Sequence, residues 1–67
     1  MTGHWQLDYE LISPTGQKLS ASTLTKRHIR RTEFKMFLNV EDQAKVVYGG
    51  WEAEYLDCSP VGVLEDE

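Results

Sequence analysis

Two adjacent glycines, Gly49 and Gly50, separate two runs rich in β-branched and aromatic residues, Lys45–Tyr48 and Trp51–Asp57. A two-residue type I′ hairpin loop needs positive φ at both positions, which glycine tolerates without steric cost. With Gly49-Gly50 as that loop, Tyr48 faces Trp51, Val46 faces Ala53 and Ala44 faces Tyr55, while Lys45 lies opposite Glu54 as an attractive cross-strand pair. The segment therefore predicts a tight hairpin. A competing helix covers residues 40–48. Val40, Ala44, Val47 and Tyr48 are spaced as a helical stripe, with Asn39 as N-cap, Glu41 and Asp42 in the first turn and Gly49 at the end. The hairpin explains more residues at once and is the preferred expectation.

Upstream, His4 to Ser13 alternates. Trp5, Leu7, Tyr9 and Leu11 share one face, and Gln6, Asp8 and Glu10 share the other, which is the pattern of a half-buried strand. Ser13-Pro14-Thr15-Gly16 suits a type I turn, and Lys18 to Ser22 returns as a short strand with Leu19 and Ala21 inward. Thr23 to Arg31 reads either as a short helix or as an ordered loop. From Thr32 to Val40 the strand period returns, with Phe34, Met36, Leu38 and Val40 on one face.

These elements predict a β-rich chain, all-β or α+β. The expected form is a small antiparallel meander sheet or barrel of about five strands with at most one or two short helices. Its core gathers Trp5, Leu7, Tyr9, Leu11, Leu19, Phe34, Met36, Leu38, Val46, Tyr48, Trp51 and Tyr55. Residues 1–58 are expected to form one compact domain and 59–67 a mobile acidic C-terminal tail. On the other face of the predicted sheet stand Ile12, Phe37, Val47 and Leu56. They are either covered by the segment around Leu24 and Ile29 or form an apolar patch that meets a partner.

A chain of 67 residues buries only roughly 60% of the surface its unfolded form exposes, so small domains often add a staple. Cys58 is the sole cysteine, which rules out an internal disulfide and fits a reducing, cytoplasmic setting. No apolar run approaches the roughly 20 residues of a membrane span, and the start of the chain lacks the pattern of a signal peptide.

Charge is unevenly placed. Five of the seven lysines and arginines, Lys26, Arg27, Arg30, Arg31 and Lys35, lie in a ten-residue window of net charge +4, leaving −8 for the rest. Arginine suits phosphate or carboxylate through its planar fork of donors. With Phe37 available for stacking, the segment reads as a docking site for an acidic protein surface, as a nucleic-acid contact, or as charges paired within the chain. The acids Asp8, Glu10, Glu52, Glu54 and Asp57 could line one outer face if the terminal strands are neighbours. Glu52 and Glu54 are thus a possible second surface.

His4, His28 and Cys58 are isolated and lack zinc-ligand spacing, and no calcium loop or glycine-rich phosphate loop is present. No catalytic apparatus, metal or cofactor is expected. The leading functional expectation is a small protein-binding module that occupies a surface on a larger partner, as an inhibitor, adaptor or assembly factor. Its size and style fit a bacterial or phage accessory protein. The alternatives are a nucleic-acid-binding protein using residues 26–35 and a homo-oligomeric structural subunit.

Overall fold

The computed structural model describes residues 3–62. Three strands form one open antiparallel sheet: β1 (His4–Ile12), β2 (Lys18–Thr25) and β3 (Glu52–Gly62), in the order β2-β1-β3. A 3₁₀ helix, Phe34–Phe37, and one α-helix, α1 (Val40–Val47), lie between β2 and β3. The molecule is thus β-rich, as expected. Among the described residues there are three strands rather than about five, and their sheet does not close into a barrel.

The first hairpin forms as its sequence predicts. The Gly16 amide donates to the Ser13 carbonyl, and the Ser13 hydroxyl accepts from the Gln17 amide and caps the turn. Gly16 sits at φ +95°, a conformation that favours glycine. β2 then runs to Thr25, so the first third of the ambiguous segment is strand and the remainder is loop. Register places Leu19, Ala21 and Thr23 beside Leu11, Tyr9 and Leu7 on the core face.

The second hairpin does not form. Residues 40–47 are helix, with Asn39 at the N-cap position and Glu41 and Asp42 in the first turn. The partner of β3 is β1, from the far end of the chain, with Trp5 opposite Pro60, Leu7 opposite Cys58, Tyr9 opposite Tyr55 and Leu11 opposite Ala53. Non-local pairing with the central strand gives β3 a full ladder, which a short local hairpin cannot match. A register shift between Asp8 and Tyr9 accommodates Leu56 as an extra residue, the mark of a β-bulge. The two glycines end the helix instead. Gly50 takes φ +76°, and a Cβ on Gly49 would meet the Lys45 carbonyl oxygen at 2.8 Å. That carbonyl accepts from the amides of Gly49 and Trp51.

Phe34–Val40 is likewise not a strand. Phe34 and Leu38 are buried and Phe37 is partly buried, an i, i+3, i+4 spacing that suits a helical turn. Met36 and Val40 point away, and Met36, Tyr48 and Leu19 are exposed rather than core residues.

The core lies between the sheet and this irregular layer. Leu7, Tyr9, Leu11, Ile29, Phe34, Leu38 and Cys58 are buried, with Trp5, Ala21, Val46, Trp51, Ala53 and Tyr55 packed round them. Ile29 enters from the loop after β2 and is fully enclosed. Its amide donates to the Cys58 sulfur at 3.4 Å, and its carbonyl accepts from the Tyr55 hydroxyl at 2.8 Å. β3 runs to Gly62, so residues 59–62 of the expected tail are strand; residues 63–67 lie outside the described residues. No helix among the described residues is long and apolar enough to cross a membrane.

Candidate protein-docking surface

The basic segment is partly used up by the fold. Arg27 grips Glu33 through two parallel hydrogen bonds, of 2.9 and 3.0 Å, and its guanidinium lies 5.1 Å from the centre of the Phe37 ring. Glu33 also accepts from the Arg30 amide at 3.1 Å. The Arg27 hydrogen bonds, and then the Arg30 amide, hold the Glu33 carboxyl down at about 2. The same carboxylate raises the Arg27 pKa. Arg31 lies over the Tyr55 ring at 5.3 Å. Lys26, Arg30 and Lys35 are exposed and join no ion pair among the described residues. Arg27 and Phe37 are therefore parts of a clasp that closes the loop over Ile29, and the free charge of the segment is borne by the other basic residues.

The acids gather as the conditional reading required, because β1 and β3 are neighbours. On the open side of the sheet Asp8 stands opposite Asp57, Glu10 opposite Glu54, and Glu52 opposite Ile12. Like charges directly opposite across strands repel. None of the five is in an ion pair among the described residues, although Asp8 accepts a hydrogen bond from the Gln6 amide at 2.9 Å. With Lys18 included, this face carries net charge −4, whereas residues 26–48 carry +3. Among the described residues no group of three or more His, Cys, Asp or Glu side chains is arranged to hold a metal ion.

The four apolar residues that interrupted the polar pattern do not form one patch. Ile12 and Leu56 belong to the sheet, Phe37 packs beneath Arg27, and Val47 belongs to α1.

Helix α1 is where exposed apolar surface does concentrate. At 3.6 residues per turn, Val47, Val40, Ala44 and Tyr48 fall within an arc of about 100°. A surface helix normally turns such a stripe to the core. Here it faces outward: Val40 is 82% exposed, Tyr48 87% and Val47 63%. Met36, at 76% exposure, adds a further apolar side chain from the preceding turn. Val40, Gln43, Ala44, Val47 and Tyr48 line a shallow depression of about 220 Å³.

The inward side of the helix is held by polar groups. The Tyr9 hydroxyl donates to Asp42 Oδ2 at 2.5 Å and receives the Asn39 amides at 3.4 Å. Burial, and then the Asp42 carboxylate, push the Tyr9 phenol up to about 12. The Asn39 side chain also reaches the Ser22 carbonyl at 3.2 Å, tying the helix start to β2 instead of capping its own helix. Lys45 lies over the Trp51 ring at 5.2 Å, and Val46 packs against the core.

No protein-family model, curated protein or solved structure matches this chain. The site is therefore read from its own geometry. In the sequence the spacing of Val40, Ala44, Val47 and Tyr48 marks a helix, and Val47 alone of the four also stands among the candidates for an exposed apolar patch. The signal that it faces solvent is the polar residue Asp42 on the opposite side, placed to meet a buried tyrosine.

Proposed function

We propose that this chain is a protein-binding module that works by occupying a surface on a larger partner. The observation that carries the reading is the outward apolar stripe of α1, Val40, Ala44, Val47 and Tyr48. Contiguous apolar area of this kind on a small monomer is often an interaction site. Tyrosine and methionine are enriched at the centres of interfaces, where they add contact area. The layer that carries the stripe also holds the exposed cations Lys26, Arg30 and Lys35, with net charge +3 over residues 26–48. The partner surface is therefore apolar where it meets the stripe, and an acidic partner suits the net positive charge of this layer. The roles that suit such a module are those of an inhibitor, an adaptor or an assembly factor.

A nucleic-acid partner has less to work with. Arg27 is committed to Glu33, and the acidic open face repels a polyanion that approaches the sheet. The experiment is capture from a native lysate with tagged wild-type chain and with Val47→Asp, each with and without nuclease. The reading expects one protein held by the wild type in both nuclease conditions and lost with Val47→Asp. Capture that vanishes with nuclease would transfer the function to the basic segment. Capture indifferent to Val47→Asp would remove α1 from the interface.

A further inference from the structure

β3 delivers an acidic segment to the foot of the basic loop. Residues 63–67 read Val-Leu-Glu-Asp-Glu and carry charge −3. They follow Gly62, which lies opposite His4 at the start of β1. On the other side of that strand, β2 leaves the sheet at Thr25, opposite Trp5. Gly62 and Lys26 therefore flank the start of β1, roughly 10 Å apart at two strand spacings. Five residues span up to about 17 Å.

From Lys26 the loop turns toward β3. The His28 ring meets the Trp5 ring at 5.1 Å, the Ile29 amide and carbonyl are held by Cys58 and Tyr55, and Arg31 lies over the Tyr55 ring. Residues 26–31 thus cross from the end of β2 to β3 on the core side of the sheet. Within them Arg27 is neutralised by Glu33. Lys26, Arg30 and Arg31 are exposed and join no ion pair among the described residues, which leaves charge +3.

We infer that Glu65, Asp66 and Glu67 fold back onto this loop and cover Lys26, Arg30 and Arg31, so that the chain screens its own cations until an acidic partner displaces the segment. The two faces of the sheet select the loop as the place where the segment lands. The open face carries net charge −4 and repels it, whereas the core side presents three cations to three acids. Arginine forks suit carboxylates. The short connection raises the effective concentration of the acids at the loop to the millimolar range. Exposed ion pairs are individually weak, so the contact yields to a competitor instead of locking the loop. The contact does not depend on the α1 stripe; the regulation rests on the acidic partner proposed above.

The test is NMR of the ¹⁵N-labelled full chain at low salt, comparing wild type with Glu65→Gln/Asp66→Asn/Glu67→Gln and using a short polyglutamate peptide as probe. Neutralising the segment is expected to move the amide signals of residues 26–31 and to leave Gly16 and Gln17, in the turn at the other end of the sheet, in place. Salt near 1 M, where the Debye length is about 3 Å, is expected to move the same signals in wild type and scarcely at all in the variant. The variant is expected to bind the probe about three- to tenfold more tightly than wild type. Lys26→Gln/Arg30→Gln, a pair of surface changes, is expected to abolish that gain. Glu10→Gln/Glu52→Gln/Glu54→Gln removes the same charge from the open face and is expected to leave the affinity within about twofold of wild type. Loop signals that ignore neutralisation overturn the inference, as does equal probe affinity of variant and wild type or an equal gain from the open-face variant. None of these readouts involves Val47→Asp capture, so the fold-back and the α1 docking surface fail separately.

Discussion

Two segments cover the same side of the sheet, and they do it in opposite ways. The loop after β2 drives Ile29 into the core until it is fully enclosed, and it secures both backbone groups of that residue, to Cys58 and Tyr55. It then locks itself with the Arg27–Glu33 clasp under which Phe37 packs. Helix α1 has no fully buried residue. It is attached through a hydrogen bond from Tyr9 to Asp42, through Asn39 and through the half-buried Val46, and it turns its apolar stripe to solvent. The segment whose charge looks functional is thus partly occupied, through Arg27 and Arg31, in closing the core. The segment whose apolar residues look structural is the one with surface to offer.

The comparison can be broken at graded cost. Ile29→Ala removes a fully buried side chain and leaves a cavity, and is expected to cost about 2–5 kcal/mol. In a domain this small that is a large part of the total stability, and urea unfolding will read it as a strongly lowered midpoint. A loss below about 1 kcal/mol would mean that the loop is not the plug described.

Tyr9→Phe keeps the ring and deletes the hydroxyl that Asp42 and Asn39 share, leaving a carboxylate without its donor. The expected loss is about 1–3 kcal/mol. It carries a pH signature. The folded phenol titrates near 12 and the unfolded one near 10. Wild type therefore holds this stabilisation below pH 10 and loses it as pH rises toward 12. In the variant the alkaline loss shrinks to what Tyr55, also raised by burial, contributes.

Glu33→Gln has the smallest expected effect, because its ion pair with Arg27 is solvent-exposed. Its signature lies at the acid end. The Glu33 carboxyl titrates near 2 in the folded chain against 4.5 as its ordinary value. The stabilisation is present above pH 4.5 and lost as pH falls toward 2. The difference between wild type and variant is the quantity to follow. A difference that stays flat from pH 5 to pH 2 would remove the clasp from the account.

Much of the sheet was legible in the residues. The strict alternation of Trp5, Leu7, Tyr9 and Leu11 marks the central strand, and the Ser13–Gly16 turn fixes its first neighbour. The second neighbour was not legible, because strand pairing across more than forty residues leaves no local trace, while Gly49-Gly50 leaves a strong and misleading one. The period-2 reading of Phe34 to Val40 competed with the helical spacing of Phe34, Phe37 and Leu38, and burial of those three decided it. Of the site, the acidic face followed once β1 and β3 were adjacent: Asp8, Glu10, Glu52 and Glu54 keep their places in the alternation, and the bulge at Leu56 turns Asp57 to the same side. The basic cluster could be counted but its internal pairing could not, because Arg27 and Glu33 meet only when the loop closes over Ile29. The α1 stripe was visible as spacing. Its outward direction depends on Asp42 meeting Tyr9, a contact between residues 33 positions apart.

The central claim is that the α1 stripe is surface and not core. The measurement that tests it most directly is urea unfolding of Val40→Ser/Val47→Ser beside wild type. Exposed positions of this kind change stability by only about 0.5 kcal/mol. The double variant is therefore predicted to unfold within about 1 kcal/mol of wild type. A loss above about 2 kcal/mol would show that these side chains are packed in the fold, and the docking surface would fall with that result.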